Sequence, residues 1–198
     1  EGTTDGIPGN VHGSGTSEPY YSMSLNNVVN SNTISNSQRY DVGRGLEFGD
    51  AIYLDAACED NTFTNNTITN NQGHGVYAWK ADGNTYDGNT ITGNGGPGFE
   101  LMGSSNNIIT DNPAISNNGY GFLIRSGALS STGSTITGNT ISGNTTAGIM
   151  LQDDADTNNY DGFVSGNDIS LNSILNNTGP NVNTASSPVG VTYDLEEN

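Results

Sequence analysis

Basic side chains are scarce in this sequence. Its 198 residues include 4 Lys and Arg against 21 Asp and Glu, which gives a formal net charge of −17. Such an acidic surface repels nucleic acids and anionic membranes, because both are polyanions. We therefore exclude nucleic-acid binding and expect an extracellular protein, since acidic, Lys-poor surfaces suit secreted proteins.

Cysteine and long apolar runs are also nearly absent. Cys58 is the only cysteine, so an intramolecular disulfide cannot form, and we interpret it as an unpaired small residue in a turn. No apolar stretch approaches the roughly 20 residues of a membrane helix, so we expect no membrane insertion. The first residue is not Met, which we interpret as the start of a processed chain.

Glycine and asparagine are abundant instead, and large apolar residues are few but regularly spaced. The chain contains 28 Gly and 30 Asn, while hydrophobic residues make up 31%. The clearest repeat unit is the stretch 73–103, GHGVYAWKADGNTYDGNTITGNGGPGFELMG, in which a Gly-apolar pair recurs after two short apolar segments. This combination favours a repeat fold over an ordinary layered domain.

Apolar residues recur along three parallel series at intervals of 23 to 28 residues. Because the three series stay in phase, and because each position is β-branched or aromatic without a helical period, we predict an all-β, three-sided solenoid. The first series is Ile52, Val76, Phe99, Phe122 and Ile149; the second is Phe63, Tyr86, Ile109, Ile136 and Phe163; the third is Ile68, Ile91, Ile115, Ile141 and Ile169.

Three stretches carry a family resemblance: GHGVYAWKADGNTYDGNTITGN, PGFELMGSSNNIITDNPAISNN and YGFLIRSGALSSTGSTITGNTISGN. They resemble the right-handed parallel β-helix of the carbohydrate-active type, found in mannuronan C5-epimerases, pectate and alginate lyases, and nitrous-oxide-reductase maturation proteins. The resemblance implies a right-handed parallel β-helix of about six coils over residues 20–177.

The two ends and one insertion depart from the repeat. Residues 1–19 are predicted to be an irregular arm, and the alternation over residues 21–25 predicts a first strand. Residues 37–49 are predicted to form a projecting loop. Residues 178–198 are predicted to be a linker followed by a C-terminal strand, whose apolar side is Val189, Val191, Tyr193 and Leu195.

Asparagines at the turns are interpreted as structural. Asn tolerates the left-handed backbone conformation, and its amide can stack on the next coil. We expect one such ladder at Asn66, Asn89, Asn112 and Asn139.

Alternation along the first strand of each coil predicts two outward columns of side chains. This face contains the only Trp and, at its edge, the only Lys, Lys80. The first column is Tyr53, Tyr77, Glu100, Leu123 and Met150; the second is Asp55, Trp79, Met102, Arg125 and Gln152.

Two interpretations of this face are open. In one, the aromatic rings stack on sugars and the charged groups serve a uronate. In the other, the face is an apolar strip that the C-terminal strand of the same chain or of a second copy covers. The family resemblance implies that a cation neutralises the sugar carboxylate, here Lys80 or Arg125, and that Tyr77 or His74 acts as base or acid. The Tyr-Gly-x-Asp-Pro-His signature of the epimerases is absent from this chain.

Metal and modification sites have few sequence signals. The segment DDADTNNYDG at 153–162 offers Ca²⁺ ligands at Asp154 and Asp156, although it lacks the Gly and the distal Glu of an EF-hand, and a solvated loop is the alternative. No cofactor motif is present. Asn65, Asn144 and Asn176 start N-x-Ser/Thr sequons that would accept glycans.

Uncapped solenoid ends expose strand edges that invite stacking. Our main hypothesis is a secreted structural subunit rather than an enzyme. It binds copies of itself head to tail in a filament, sheath or surface layer, through the uncapped solenoid ends and exchange of terminal strands. The alternative is a polysaccharide-active protein: a uronate lyase, a C5-epimerase or a non-catalytic sugar binder.

Overall fold

The computed structural model describes residues 24–38, 40–41, 47–153, 162–184 and 192–193. Within these ranges the secondary structure is all β, and no helix has the length and hydrophobicity that a membrane crossing requires. The described strands, in chain order, are β1 Val28–Asn30, β2 Thr33–Ser35, β3 Tyr40–Asp41, β4 Glu47–Phe48, β5 Ile52–Leu54, β6 Thr62–Thr64, β7 Thr67–Thr69, β8 Val76–Trp79, β9 Thr85–Asp87, β10 Thr90–Thr92, β11 Phe99–Met102, β12 Ile108–Thr110, β13 Ala114–Ser116, β14 Tyr120–Arg125, β15 Ser131–Thr132, β16 Thr135–Thr137, β17 Thr140–Ser142, β18 Ala147–Gln152, β19 Val164–Ser165, β20 Asp168–Ser170, β21 Ser173–Leu175, β22 Val182–Thr184 and β23 Thr192–Tyr193.

Three parallel sheets form the sides of a solenoid. The front sheet has the order β5-β8-β11-β14-β18-β22, the second sheet β1-β6-β9-β12-β16-β20-β23, and the third sheet β2-β7-β10-β13-β17-β21. One coil uses one strand of each, as in β8, β9 and β10, before the chain returns to the front sheet at β11. The predicted three-sided parallel β-helix of about six coils is confirmed.

Short strands with one or two inward side chains each build the core. In the third sheet the Thr-Ile-Thr pattern of β7 and β10 buries Ile68 and Ile91 and leaves the threonines outside. Burial of each such side chain contributes about 1.5–3 kcal/mol. Aromatic rings stack in the same way, with 5.0 Å between the ring centroids of Phe99 and Phe122.

Two predicted series are wrong in the fifth coil. Ile136 pairs with Ile169 rather than with Phe163, and Ile141 pairs with Ile174 rather than with Ile169. Phe163 is 52% exposed. The spacing in this coil is 33 residues, since extra chain enters between β18 and β19, and this insertion shifts every later position.

Asparagine ladders run along the corners of the solenoid. The backbone N–H and the Nδ2 of Asn66 both donate to Oδ1 of Asn89, at 2.9 and 3.0 Å, and Asn89 donates in the same way to Asn112. Nδ2 of Asn112 donates to Oδ1 of Asn139, which extends the ladder by one coil. The predicted ladder is therefore present, and its amides satisfy polar groups in the interior.

The left-handed conformation, however, belongs to the residue before each ladder asparagine. Asn65 has φ 54° and Gly88 has φ 64°, whereas Asn66 and Asn89 are not among the residues with positive φ. The sequence-based explanation assigned both roles to one residue. In the structure two successive residues share these roles. The first has the left-handed conformation, and the next points its amide into the interior.

The termini and the insertion also differ from the predictions. Residues 21–23 of the predicted first strand lie outside the described residues, and β1 begins at Val28. The predicted loop 37–49 contains an antiparallel pair, β3 with β4. The predicted linker contains β22, which pairs with β18 in the front sheet.

The C-terminal strand β23 pairs in parallel with β20 of the same chain, in the second sheet. It therefore extends the solenoid and does not lie across the front sheet, so the idea that it covers the outward columns is wrong for its described residues. Val189, Val191 and Leu195 lie outside the described residues.

Candidate functional site

The outer face of the front sheet, here called the front face, carries the two outward columns. The strand register places Tyr53, Tyr77, Glu100, Leu123 and Met150 side by side, and likewise Trp79, Met102, Arg125 and Gln152. Because strands in a sheet are about 4.8 Å apart, each column presents one side chain per coil at that spacing.

A chain of four alternating charges crosses the front face. Nδ1 of His74 lies 2.7 Å from Oδ1 of Asp50, and Nε2 of His74 lies 2.8 Å from Oε2 of Glu100. Oε1 of Glu100 accepts a hydrogen bond from Nε of Arg125 at 2.7 Å, and Nη2 of Arg125 forms an ion pair with the same oxygen at 2.7 Å. These charge-assisted bonds link four consecutive coils.

His74 is charged at neutral pH. Burial alone would lower its pKa, but hydrogen bonds to Asp50 and Glu100, and their negative charges, outweigh burial and raise the pKa to about 9. Both ring nitrogens consequently act as donors. In this state His74 cannot accept a proton from a substrate, so the predicted role as a base does not fit the geometry.

Glu100 is the buried member of this series of four charged side chains. It is only 3% exposed, because Arg125 and His74 cover its carboxylate. Little of the Glu100 carboxylate is left for contact with a ligand. Its carboxylate instead holds Arg125 in place, and the side chain of Arg125 is 30% exposed.

Aromatic rings lie beside the charges. The ring centroids of Tyr53 and Tyr77 are 5.3 Å apart, and the His74 ring stacks on Tyr77 at 5.0 Å. The Tyr77 hydroxyl donates to Sδ of Met102 at 3.4 Å. Burial and the negative charge of Glu100 raise the pKa of Tyr77, and burial and the charge of Asp55 raise that of Tyr53 to about 12. Both hydroxyls thus stay protonated, and Tyr77 suits the role of acid better than that of base.

Trp79 and Lys80 form one edge of the front face. Lys80 follows β8 in the left-handed conformation, with φ 53°. This turn places Nζ 4.4 Å from the centroid of the Trp79 ring, which is cation–π geometry.

Known proteins share this architecture. The family model for the right-handed β-helix region matches residues 9–78 and 47–162. The chain belongs to the right-handed β-helix family. Comparison with curated protein sequences finds no match.

Solved structures of two epimerases resemble this β-helix. The periplasmic alginate epimerase AlgG has 20% sequence identity and a TM-score of 0.62, covering 83% of this chain and 37% of that chain. The A-module of the mannuronan C-5 epimerase AlgE4 from Azotobacter vinelandii has 19% identity and a TM-score of 0.63, covering 86% of this chain and 46% of that chain. The β-helix thus spans less than half the length of these proteins, and at this identity the similarity establishes the fold.

Other predicted site residues lie apart from the charge chain. Asp55 is exposed, and its side chain accepts a hydrogen bond from the backbone N–H of Ala56, so it has a local role in a turn. Asp154 and Asp156 lie outside the described residues. Within the ranges that are described, no group of three His, Cys, Asp or Glu is placed to hold a metal ion.

The three sequons differ in accessibility. Asn65 and Asn176 are exposed at turns, whereas Asn144 is completely buried in a ladder, where its Nδ2 donates to the carbonyl of Ile115 and to Asn177. Asn144 therefore cannot accept a glycan in the folded protein, which corrects one of the three predictions.

Asp50 is the site residue that sequence reasoning missed. A signal was present, because Asp50 precedes Ile52 by two positions, and His74 precedes Val76 by two positions. Aligned on the first apolar series, Asp50 and His74 occupy equivalent places in successive coils and must be neighbours.

Proposed function

We propose that the front face binds an acidic, uronate-containing polysaccharide. The observation that carries this proposal is the location of positive charge. In the described part of the chain, Lys80 and Arg125 are the only Lys and Arg, and both lie on the front face, as does charged His74. The whole chain has a formal net charge of −17, so the cations of the front face have the opposite sign to the net charge of the protein. A uronate polymer is the sugar class that such a local patch suits.

Aromatic side chains supply the second element of sugar recognition. Tyr53 in β5 is 42% exposed, and Tyr77 and Trp79 in the neighbouring strand β8 are partly exposed. Aromatic rings offer flat apolar area to the apolar faces of sugars while their polar atoms stay hydrated. The combination of rings and cations along one sheet favours a polymer over a small ligand.

The structural similarity to alginate epimerases supports a polysaccharide as the partner. These proteins also suggest an extracellular or periplasmic location for this chain. Self-assembly through the solenoid ends stays a prediction, and nothing in the described contacts favours it over polysaccharide binding.

Uronate lysis or C5-epimerisation is a second candidate, favoured by the same similarity and by two adjacent groups. Arg125 would neutralise the uronate carboxylate, and Tyr77 would supply a proton as the acid. The weakness of this candidate lies in the base, since His74 is protonated and held by two carboxylates. Binding is therefore the function that the geometry supports best.

Calorimetric titration with alginate, pectate and an uncharged glucan of matched length tests the binding proposal. We expect binding of the acidic polymers that weakens with salt, because exposed charges are screened. Tyr53→Ala should lower the affinity about tenfold, or ~1.4 kcal/mol, through loss of a stacking ring. Ile108→Ala is the control, because Ile108 is exposed on the second sheet. No binding by the wild type, or equal binding of neutral and acidic polymers, would overturn the proposal.

Catalysis is tested separately on the same polymers. Deuterium uptake at C5 during incubation in D₂O reports epimerisation, and ultraviolet absorbance of unsaturated uronates reports lysis. Tyr77→Phe should abolish either signal if Tyr77 is the acid. Absence of both signals, with binding intact, leaves the protein as a non-catalytic binder.

A further inference from the structure

We infer that Trp79 and Lys80 form a subsite for a charged sugar, in which Lys80 moves from the Trp79 ring to the sugar's carboxylate and the sugar takes its place on the ring. This inference rests on the proposed function and extends it to the selection of uronate over neutral sugar.

Arg125 already has a strong carboxylate partner in Glu100, whereas Lys80 does not. In the described part of the chain, no Asp or Glu forms an ion pair with Lys80, and its only side-chain interaction is with the Trp79 ring. At a partly exposed site such a cation–π contact is a weak interaction. An incoming carboxylate can therefore displace it at small cost.

The geometry allows both partners to act on one sugar. The left-handed backbone at Lys80 folds its side chain back over the ring, and the four-carbon stem is long enough to swing away while the ring stays fixed in β8. Movement of the ammonium uncovers an aromatic face beside a positive charge. A neutral sugar could use only the ring, whereas a uronate could use both.

The position of the subsite also indicates the length of ligand. Trp79, Met102 and Arg125 lie on three successive strands of one column, so Trp79 and Arg125 are about 10 Å apart along the stack. Cations at the two ends of this column, Lys80 beside Trp79 and Arg125, suit a ligand with repeated uronates better than one with a single charged sugar. We therefore assign the ligand to polymers that carry more than one uronate along the chain.

Tryptophan fluorescence tests this inference, because Trp79 is the only Trp of the chain. Titration of the full chain with a short oligouronate should change the Trp79 emission in a saturable manner. A neutral oligosaccharide of the same length should change the emission at least about tenfold less at equal concentration, because it has no carboxylate to draw Lys80 off the ring. Lys80→Gln should weaken oligouronate binding about tenfold, and Lys80→Arg should restore most of the affinity.

A charge-matched control separates local contact from long-range attraction. Thr67→Glu changes the net charge by the same amount as Lys80→Gln, but Thr67 is exposed on the third sheet. We expect Thr67→Glu to leave the affinity within about twofold of the wild type, because charges beyond a Debye length of about 8–10 Å are largely screened.

The outcomes also distinguish this inference from the proposed function. If calorimetry shows oligouronate binding while Trp79 emission is unchanged and Lys80→Gln binds like the wild type, the subsite is refuted and the proposed function stands. If Thr67→Glu weakens binding as much as Lys80→Gln, the effect of Lys80 is only net charge and the subsite is again refuted. If the wild type binds no oligouronate, both proposals fail.

Discussion

Oε1 of Glu100 lies 2.7 Å from both Nε and Nη2 of Arg125, across adjacent strands of the front sheet. The same carboxylate accepts a bond from His74, so two cations depend on one buried anion. Removing the anion leaves both cations without this partner. We expect Glu100→Gln to lower the free energy of unfolding by about 2–3 kcal/mol, somewhat less than for a fully buried pair because Arg125 is partly exposed.

Thermal unfolding followed by circular dichroism measures this effect, which should lower Tm by roughly 4–12 °C. Glu59→Gln is the matched control, since Glu59 is partly exposed and its side chain has no hydrogen bond or ion pair with the described residues. Equal Tm values for the two variants would contradict a stabilising role for the Glu100 contacts.

The charge on His74 predicts a pH dependence of stability. Its pKa is about 9 in the folded protein, against the ordinary value of 6.5 that applies to the unfolded chain. As the pH rises above 6.5 the unfolded state loses this proton first, so the free energy of unfolding falls until the folded state also loses it near pH 9. The stabilisation is complete below pH 6.5 and is lost above about pH 9.

Urea denaturation at a series of pH values from about 6 to about 9.5 measures this decline. His74→Gln keeps a hydrogen-bonding side chain but cannot titrate, so its stability should be nearly flat over this interval. A decline of the same size in His74→Gln would show that other groups cause it.

The β-helix could be predicted because each inward residue depends only on its own short strand. Val76, Phe99 and Phe122 repeat with the same alternation in every coil, and the outward positions of Tyr77 and Trp79 follow from it. Ile169 was misassigned for a different reason. The length of a coil is set by loops that project from the solenoid, and alternation alone does not reveal how many residues they contain.

The charge chain could be predicted only in part. Glu100 and Arg125 were placed on one face, but the burial of Glu100 depends on how two long side chains fold over it. Those rotamers follow from three-dimensional packing and are not determined by the spacing of residues. The pKa of His74 depends in turn on Asp50, which lies one coil away.

The hydroxyl of Tyr86 is the single buried side-chain N or O atom without a hydrogen-bond partner in the described structure. Its ring packs between Phe63, at 5.1 Å, and Phe99, at 5.3 Å between centroids, and burial raises its pKa. An unsatisfied buried hydroxyl costs about 1–3 kcal/mol. We expect Tyr86→Phe to raise the free energy of unfolding by about 1 kcal/mol in urea denaturation.

Tyr77→Phe is the control for this variant, because the Tyr77 hydroxyl is partly exposed and bonded to Met102. It should leave the stability within about 0.5 kcal/mol of the wild type. A loss of stability in Tyr86→Phe would indicate that the hydroxyl has a partner that the structure does not show.

Asn112 lies in the middle of a ladder and makes bonds in both directions. Its Oδ1 accepts from the backbone N–H and Nδ2 of Asn89, and its Nδ2 donates to the carbonyl of Tyr86 and to Asn139. Asn112→Ala leaves several buried groups unsatisfied, so we expect a loss of about 2–4 kcal/mol in urea denaturation. Asn70→Gly, at an exposed left-handed position, should change stability by less than about 1 kcal/mol. Similar losses in both variants would contradict the special role of the ladder.

Leu171 occupies a corner position at which the preceding coils have Asn65, Gly88, Asp111 and Gly138, all with positive φ. It has φ 56° and is 64% exposed, so it bears backbone strain without contributing to the core. A non-glycine residue in the left-handed region costs roughly 1 kcal/mol of stability. Replacement by Gly removes this cost, but it also makes the unfolded chain more flexible, which cancels part of the gain. We expect Leu171→Gly to raise the free energy of unfolding by about 0.5 kcal/mol. Ser170→Gly, in the adjoining strand β20, should lower it by a similar amount, and the opposite order of the two variants would refute the assignment of strain to Leu171.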